Sequence, residues 1–235
     1  MRATRRVIVN ADDFGLSDGV NAGIIEAANR GVVRSASLMV RGAAASAAAE
    51  WARGREWFSL GLHLDLAEWH YHAGRWTTTY EVVPLDDADA VHAEIDRQVA
   101  TFRAIVGDNP THIDSHQHLH REEPARAAAL RWSNALEVPL RHFSEARYVG
   151  SFYGQTTEGE PYPEGITVQN LLTLLEQLEP GTTELGCHPG VGDGLANVYA
   201  SERSDEVQAL CDPRVSEALL RLDIELCSFR TRVPT

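Results

Sequence analysis

Val7-Ile8-Val9-Asn10-Ala11-Asp12-Asp13-Phe14-Gly15-Leu16-Ser17 passes from an apolar run into a polar, glycine-containing turn. Asn21 to Arg30 then continues as a helix with Ile24, Ile25 and Ala28 on one face. This strand, loop and helix unit decides the fold because the chain repeats it. Strands are expected at Ser35 to Val40, Phe58 to Leu64, Thr111 to Ser115, Pro139 to His142, Thr183 to His188 and Ile224 to Phe229. Helices are expected at Ala43 to Arg53, Val91 to Val106, Glu123 to Leu136, Val168 to Leu178 and Pro213 to Leu222. Alternation of this kind predicts a parallel sheet covered by helices, and about seven strands favour closure into a distorted, TIM-barrel-like (β/α) barrel over an open doubly wound sheet. The length, 235 residues, suits one domain covering 1–235. Two longer irregular stretches, Ala67 to Ala90 and Glu145 to Gly165, follow strands at their C-terminal ends, the face on which parallel α/β folds build their sites.

Composition narrows the chemistry. With 34 acidic and 21 basic residues the formal charge is −13, so no general attraction to nucleic acid or anionic lipid is expected. Every basic residue is arginine. The absence of lysine excludes Walker-type phosphate binding, Schiff-base catalysis and a carboxylated-lysine metal bridge. The stretch Met1 to Asp13 lacks the hydrophobic segment of a signal peptide, and no run of apolar residues is long enough to span a membrane, so a cytoplasmic location is expected. Cys187, Cys211 and Cys227 sit at no metal-ligand spacing and read as reduced structural thiols.

The polar clusters fall where strands end. Asp12-Asp13 closes the first, His63 and Asp65 the third, the segment His112 to His120 the fourth and His188 the sixth. Four clusters therefore point to one rim. In an extended chain His112, Asp114, His116 and His118 share a face, whereas Asp12 and Asp13 face opposite ways unless the turn intervenes. One aspartate can then bind a metal while the other stays free. Neutral imidazoles with one carboxylate leave an open position for water, a composition typical of catalytic zinc; magnesium prefers more oxygen ligands. A lone histidine such as His70, His72, His92 or His142 is more often a surface or packed residue. Four histidines and an aspartate within His112 to His120 are too many titratable groups to bury without purpose.

These residues resemble a known family. Val9 to Ser17, followed by Gly19-Val20-Asn21 and Ser35-Ala36-Ser37-Leu38-Met39-Val40, looks like the opening of the YdjC-like carbohydrate deacetylases, the chitooligosaccharide deacetylase type. Gly61-Leu62-His63, Thr111-His112-Ile113-Asp114-Ser115-His116 and Cys187-His188-Pro189-Gly190 resemble its later motifs in the same order. The resemblance implies a distorted barrel, one divalent metal ion (zinc or magnesium) and hydrolysis of the acetamide of an N-acetylglucosamine-type sugar. It further implies Asp13, His63 and His116 as ligands, Asp12 as general base and His188 as the acid. Arg141, His118 and Asp114 are expected on the substrate side, Arg141 orienting either Asp12 or a sugar hydroxyl. Trp69, Tyr71, Trp76, Tyr80, Tyr148, Tyr153 and Tyr162, in the two long loops, suit flat contact with a sugar ring. The stretch from Asp65 to His92 is short for a chitooligosaccharide enzyme, which implies a different or smaller substrate lip.

Two other readings compete. Another barrel metallohydrolase with two metals usually carries a His-x-His pair on its first strand, where this chain has Asp-Asp. A non-catalytic sugar-binding protein predicts a missing ligand or base, yet every matched position is filled. Exposed loops around a barrel rim leave room for a homodimer.

Overall fold

The chain is described by a computed structural model over residues 4–72, 74–192 and 199–231. Strand β1 (Arg5–Phe14) is buried from Val7 onward, as befits a parallel strand covered on both faces. It pairs in parallel with β2 (Ser35–Leu38), β8 (Gly181–Cys187) and β9 (Ile224–Cys227). With β3 (Ser59–Leu64), β6 (Ile113–Ser115) and β7 (Arg147–Val149) the order is β6-β3-β2-β1-β8-β7, with β9 beside the N-terminal part of β1. Helices α1 (Asp18–Arg30), α2 (Ala45–Ala52), α3 (Ala88–Val106), α4 (Ala125–Leu136), α5 (Val168–Glu176), α6 (Ala200–Cys211) and α7 (Pro213–Arg221) complete a distorted (β/α) barrel. Local chemistry sets their ends: Ser17 caps α1, Asp87 caps α3, and Asp212 caps α7 ahead of Pro213.

Strand alternation divides the barrel into two environments. Val7, Val9 and Ala11 of β1 join Ala36, Leu38, Leu60, Leu62, Leu64, Ile113 and Leu185 in the main apolar core. The other face of β1 starts with Ile8, grouped with Cys227 and Phe229, and becomes polar at Asn10 and Asp12. Asn10 Nδ2 donates to Ser37 Oγ at 2.8 Å and to Asp12 Oδ1 at 2.9 Å, while Ser35 Oγ donates to Asn10 Oδ1 at 2.6 Å. His112 stacks on Phe229 at 3.9 Å and crosses Gly61 so closely that a Cβ there would lie 2.4 Å from its ring. The barrel interior is thus a hydrogen-bonded polar column standing on a small apolar base.

The elements differ from expectation in four places, one of them strand β7, which lies inside the stretch Glu145 to Gly165 read as irregular. Pro139 to His142 forms no strand; Leu140 alone bridges Ile113. The stretch read as a loop from Ala67 contains an antiparallel hairpin, β4 (Ala67–His72) with β5 (Arg75–Glu81). Helix α6 had no apolar signature because its inward face, Arg203, Glu206, Val207 and Leu210, spaced as i, i+3, i+4 and i+7, begins with two charged residues. Among the described residues, no helix is long and apolar enough to cross a membrane.

Candidate metal centre and active site

The two aspartates meet because β1 is irregular where they sit. Its register with β2 holds at Asn10↔Ser35 and Ala11↔Ala36, then shifts so that Phe14 opposes Leu38. One extra residue is absorbed across Asp12-Asp13, a bulge, and Asp13 takes a left-handed φ of 67°. Side chains that a regular strand would send apart therefore both reach the barrel mouth. Gly15, at φ 93°, finishes the turn; a Cβ there would lie 2.9 Å from the Ala45 backbone.

Asp13, His63 and His116 converge. Asp13 Oδ1 lies 3.4 Å from His63 Nε2 and 3.1 Å from His116 Nδ1. Among the described residues, these three form one of two groups of donor atoms lying within 4.8 Å of one another; Asp12, His63 and Asp114 form the other. His63 Nδ1 is held by Asp114 Oδ1 at 2.7 Å, whereas its Nε2 is buried with no hydrogen-bond partner. A carboxylate behind one ring nitrogen and a bare second nitrogen facing another carboxylate is the arrangement of a metal-binding histidine. Burial opposes a charge on His63, yet Asp114, Asp12 and Asp13 together push its pKa up to about 10. Burial also favours a neutral Asp13, but Arg203 and the two histidines hold its carboxyl well below the usual carboxylate range. The residues present fit one divalent cation: two imidazoles and one ionised carboxylate, with Asp114 holding His63 and Arg203 holding Asp13 from behind.

Asp12 is gripped by Arg141. Nη1 donates to Oδ2 and Nη2 to Oδ1, both at 2.7 Å. The same guanidinium reaches Asp114 Oδ2 at 2.8 Å and, through Nε, Glu184 Oε1 at 2.8 Å. Burial raises the Asp12 pKa, and Arg141 outweighs it to bring the carboxyl below its ordinary value. Glu184 goes the other way, pushed by burial to about 7. Asp114 also accepts from Ser37 Oγ at 2.5 Å and is fully buried, while the Arg141 side chain is 1% exposed. The expected contact of Asp114 with substrate does not fit its complete burial; it holds His63 instead. Of the two roles expected of Arg141, the contact it makes is the one that orients Asp12.

His188 directly follows β8. Its Nε2 stands 3.8 Å from Asp12 Oδ2, and Tyr153 and Tyr199 flank its ring. Burial lowers its pKa to about 4, so the resting ring is neutral at pH 7. Helix α6 braces this region: Glu206 accepts from the His188 backbone N–H and from Tyr199 Oη, and Arg203 donates to the His188 carbonyl at 3.2 Å. Sequence reasoning did not single out Arg203, Glu206, Tyr199 or Glu184, for which only tertiary contacts speak.

His118 departs from the shared face expected of it. Strand β6 stops at Ser115, and Gln117 and His118 take left-handed φ of 50° and 56° in a 3-10 turn. His118 packs against His142 and Tyr148, with ring centroids 5.0 and 5.1 Å away. Neighbouring His120 has both nitrogens engaged, by Ser115 Oγ and the Arg141 carbonyl.

Fold and site together define a (β/α)-barrel protein with an Asp-His-His donor set and, beside it, a second aspartate held by Arg141 at the C-terminal rim of its strands. A family model described as YdjC-like protein matches residues 6–221, and the chain belongs to that family. A chitooligosaccharide deacetylase of Serratia marcescens is 32% identical, over 95% of this chain and 98% of its own. A crystal structure from Enterococcus faecalis V583, of a candidate cellobiose-phosphate cleavage protein, superposes with a TM-score of 0.79 at 24% identity, covering 98% of this chain and 100% of the other. A family 4 carbohydrate esterase from Streptomyces lividans, in complex with acetate, shares the fold with a TM-score of 0.59 at 12% identity, covering 99% and 98%.

Proposed function

We propose that this chain is a carbohydrate deacetylase that hydrolyses the acetamide of an N-acetylated amino sugar, with Asp13, His63 and His116 holding one divalent cation. The observation that carries the reading is the bare, buried Nε2 of His63, aimed at Asp13 while Asp114 holds the other ring nitrogen. The named relatives support the substrate class, since the Serratia marcescens protein is a chitooligosaccharide deacetylase. The donor set favours zinc over magnesium, which prefers more oxygen ligands.

When bound, the cation supplies Lewis-acid polarisation of the acetyl carbonyl and a lowered pKa for water. Asp12 accepts the proton of the attacking water, and Arg141, gripping both of its oxygens, fixes the direction from which it does so. The leaving amine needs a proton. His188 delivers it, and because its ring rests neutral it first has to gain that proton. Asp12, 3.8 Å away, is placed to pass on the one it has taken. The imidazole then carries the charge between Asp12 and the amine.

The test is acetate release from a panel of N-acetylated amino sugars, with metal content measured per chain. Release that stops on chelation and returns with about one equivalent of cation supports the reading. No release from any sugar at full metal loading would leave a binding protein instead.

A further inference from the structure

Asp13 has two carboxylate oxygens, and the protein uses them differently. Oδ1 faces His63 Nε2 and His116 Nδ1, whereas Oδ2 accepts from Arg203 Nη2 at 2.6 Å. Arg203 lies on α6, its side chain 5% exposed, and its guanidinium rests over the Tyr199 ring at 5.6 Å. The other terminal nitrogen, Nη1, donates to the carbonyl of His188. One rigid fork thus joins a carboxylate on β1 to the backbone just after β8, and a planar guanidinium holds both directions at once in a way a flexible ammonium cannot.

We propose that Arg203 is a positioning residue that reserves Oδ2 of Asp13, so that this aspartate offers the cation a single oxygen, and that it fixes the spacing between Asp13 and His188. The proposal rests on the cation reading above. Oδ1 is the atom on which the two imidazole nitrogens already converge, and leaving Oδ2 engaged keeps the carboxylate from closing on the ion with both oxygens. A coordination position then stays available to substrate and water. Side chains behind the ligands commonly change metal affinity 10–100-fold when removed.

The experiment is cobalt(II) titration of the wild type, Arg203→Met and Arg203→Lys, following the visible d–d bands, with circular dichroism to confirm folding. In the wild type one equivalent of cobalt is expected to give the intense bands of a low coordination number. Arg203→Met is expected to give weaker bands, as the released oxygen adds a ligand, and an affinity changed by about tenfold or more. Arg203→Lys, with charge but no fork, is expected to keep the affinity nearer the wild type without restoring the spectrum. Identical spectra and affinities in all three proteins would overturn the role of Arg203. Failure of the wild type to bind cobalt would instead overturn the cation reading on which it depends. Should both variants fail to fold, a structure of the cobalt-loaded wild type still decides. Asp13 bound through both oxygens with Arg203 displaced refutes the proposal; Oδ2 still on Arg203 upholds it.

Discussion

Two histidine clusters lie within a few residues of each other and meet different fates. His63 and His116 converge on a carboxylate, and the nitrogen of His63 that faces it has no other partner. His118, His120 and His142 pack against one another, with His120 saturated at both nitrogens and His118 and His142 only 3.4 Å apart, nitrogen to nitrogen. Burial and the nearby Arg141 lower His118 and His120 to about 3, so these rings rest neutral. Histidine density is therefore a poor guide to a metal. What distinguishes the first cluster is the acid on each side of His63: Asp114 behind it and Asp13 before it.

The sharpest way to break the contrast is to remove a ring from each cluster. His63→Ala and His116→Ala are each expected to abolish stoichiometric metal and with it acetate release. His118→Ala and His142→Ala should retain about one metal per chain, measured after dialysis. Retention in His116→Ala together with loss in His118→Ala would move the site to the second cluster.

Next in size is Asp12→Asn, which should keep the metal while turnover falls by about two orders of magnitude or more. Loss of metal in that variant would show that the roles of the two aspartates are exchanged. Asp114→Asn removes the charge behind His63 and leaves Arg141 with less compensation. Metal affinity, read by chelator competition, is expected to drop about 10–100-fold, with a lower Tm for the metal-free protein. An unchanged affinity would reduce Asp114 to a packing group.

A smaller effect follows from the proton on His63. Its pKa of about 10 in the metal-free protein exceeds the 6.5 of a free imidazole. The raised value stabilises the metal-free fold fully below pH 6.5, and that contribution is lost as pH rises through the folded value. The same proton competes with the cation, so apparent affinity should climb between pH 7 and 9 by up to about tenfold per pH unit. A flat profile would mean that His63 gives up no proton on binding. Smallest of all, His118→Ala should leave the pH profile in place and cost only the packing of a partly buried ring, seen as a modest fall in Tm.

Much of this was readable in the chain. Alternating elements gave a parallel, helix-covered barrel, and strand ends collected Asp12, Asp13, His63, His116 and His188 on one rim. The misses share a cause. Helix α6 escaped because a periodicity reading looks for apolar residues, and its inward face leads with Arg203 and Glu206. The alternation carried through His118 failed because β6 ends at Ser115 and the next turn is left-handed. Asp114 looked like a substrate contact because its place at a strand end is legible while its complete burial is not.

By itself the sequence determined which groups can do chemistry, since residue type and strand-end spacing are local properties. The tertiary structure alone decided what each group is free to do. Arg141 meets Asp12 across 129 residues and Arg203 meets Asp13 across 190. Those partners are separated too far along the chain for any spacing rule to connect them. Yet a buried carboxylate or imidazole takes its charge, direction and available atom from the groups packed around it.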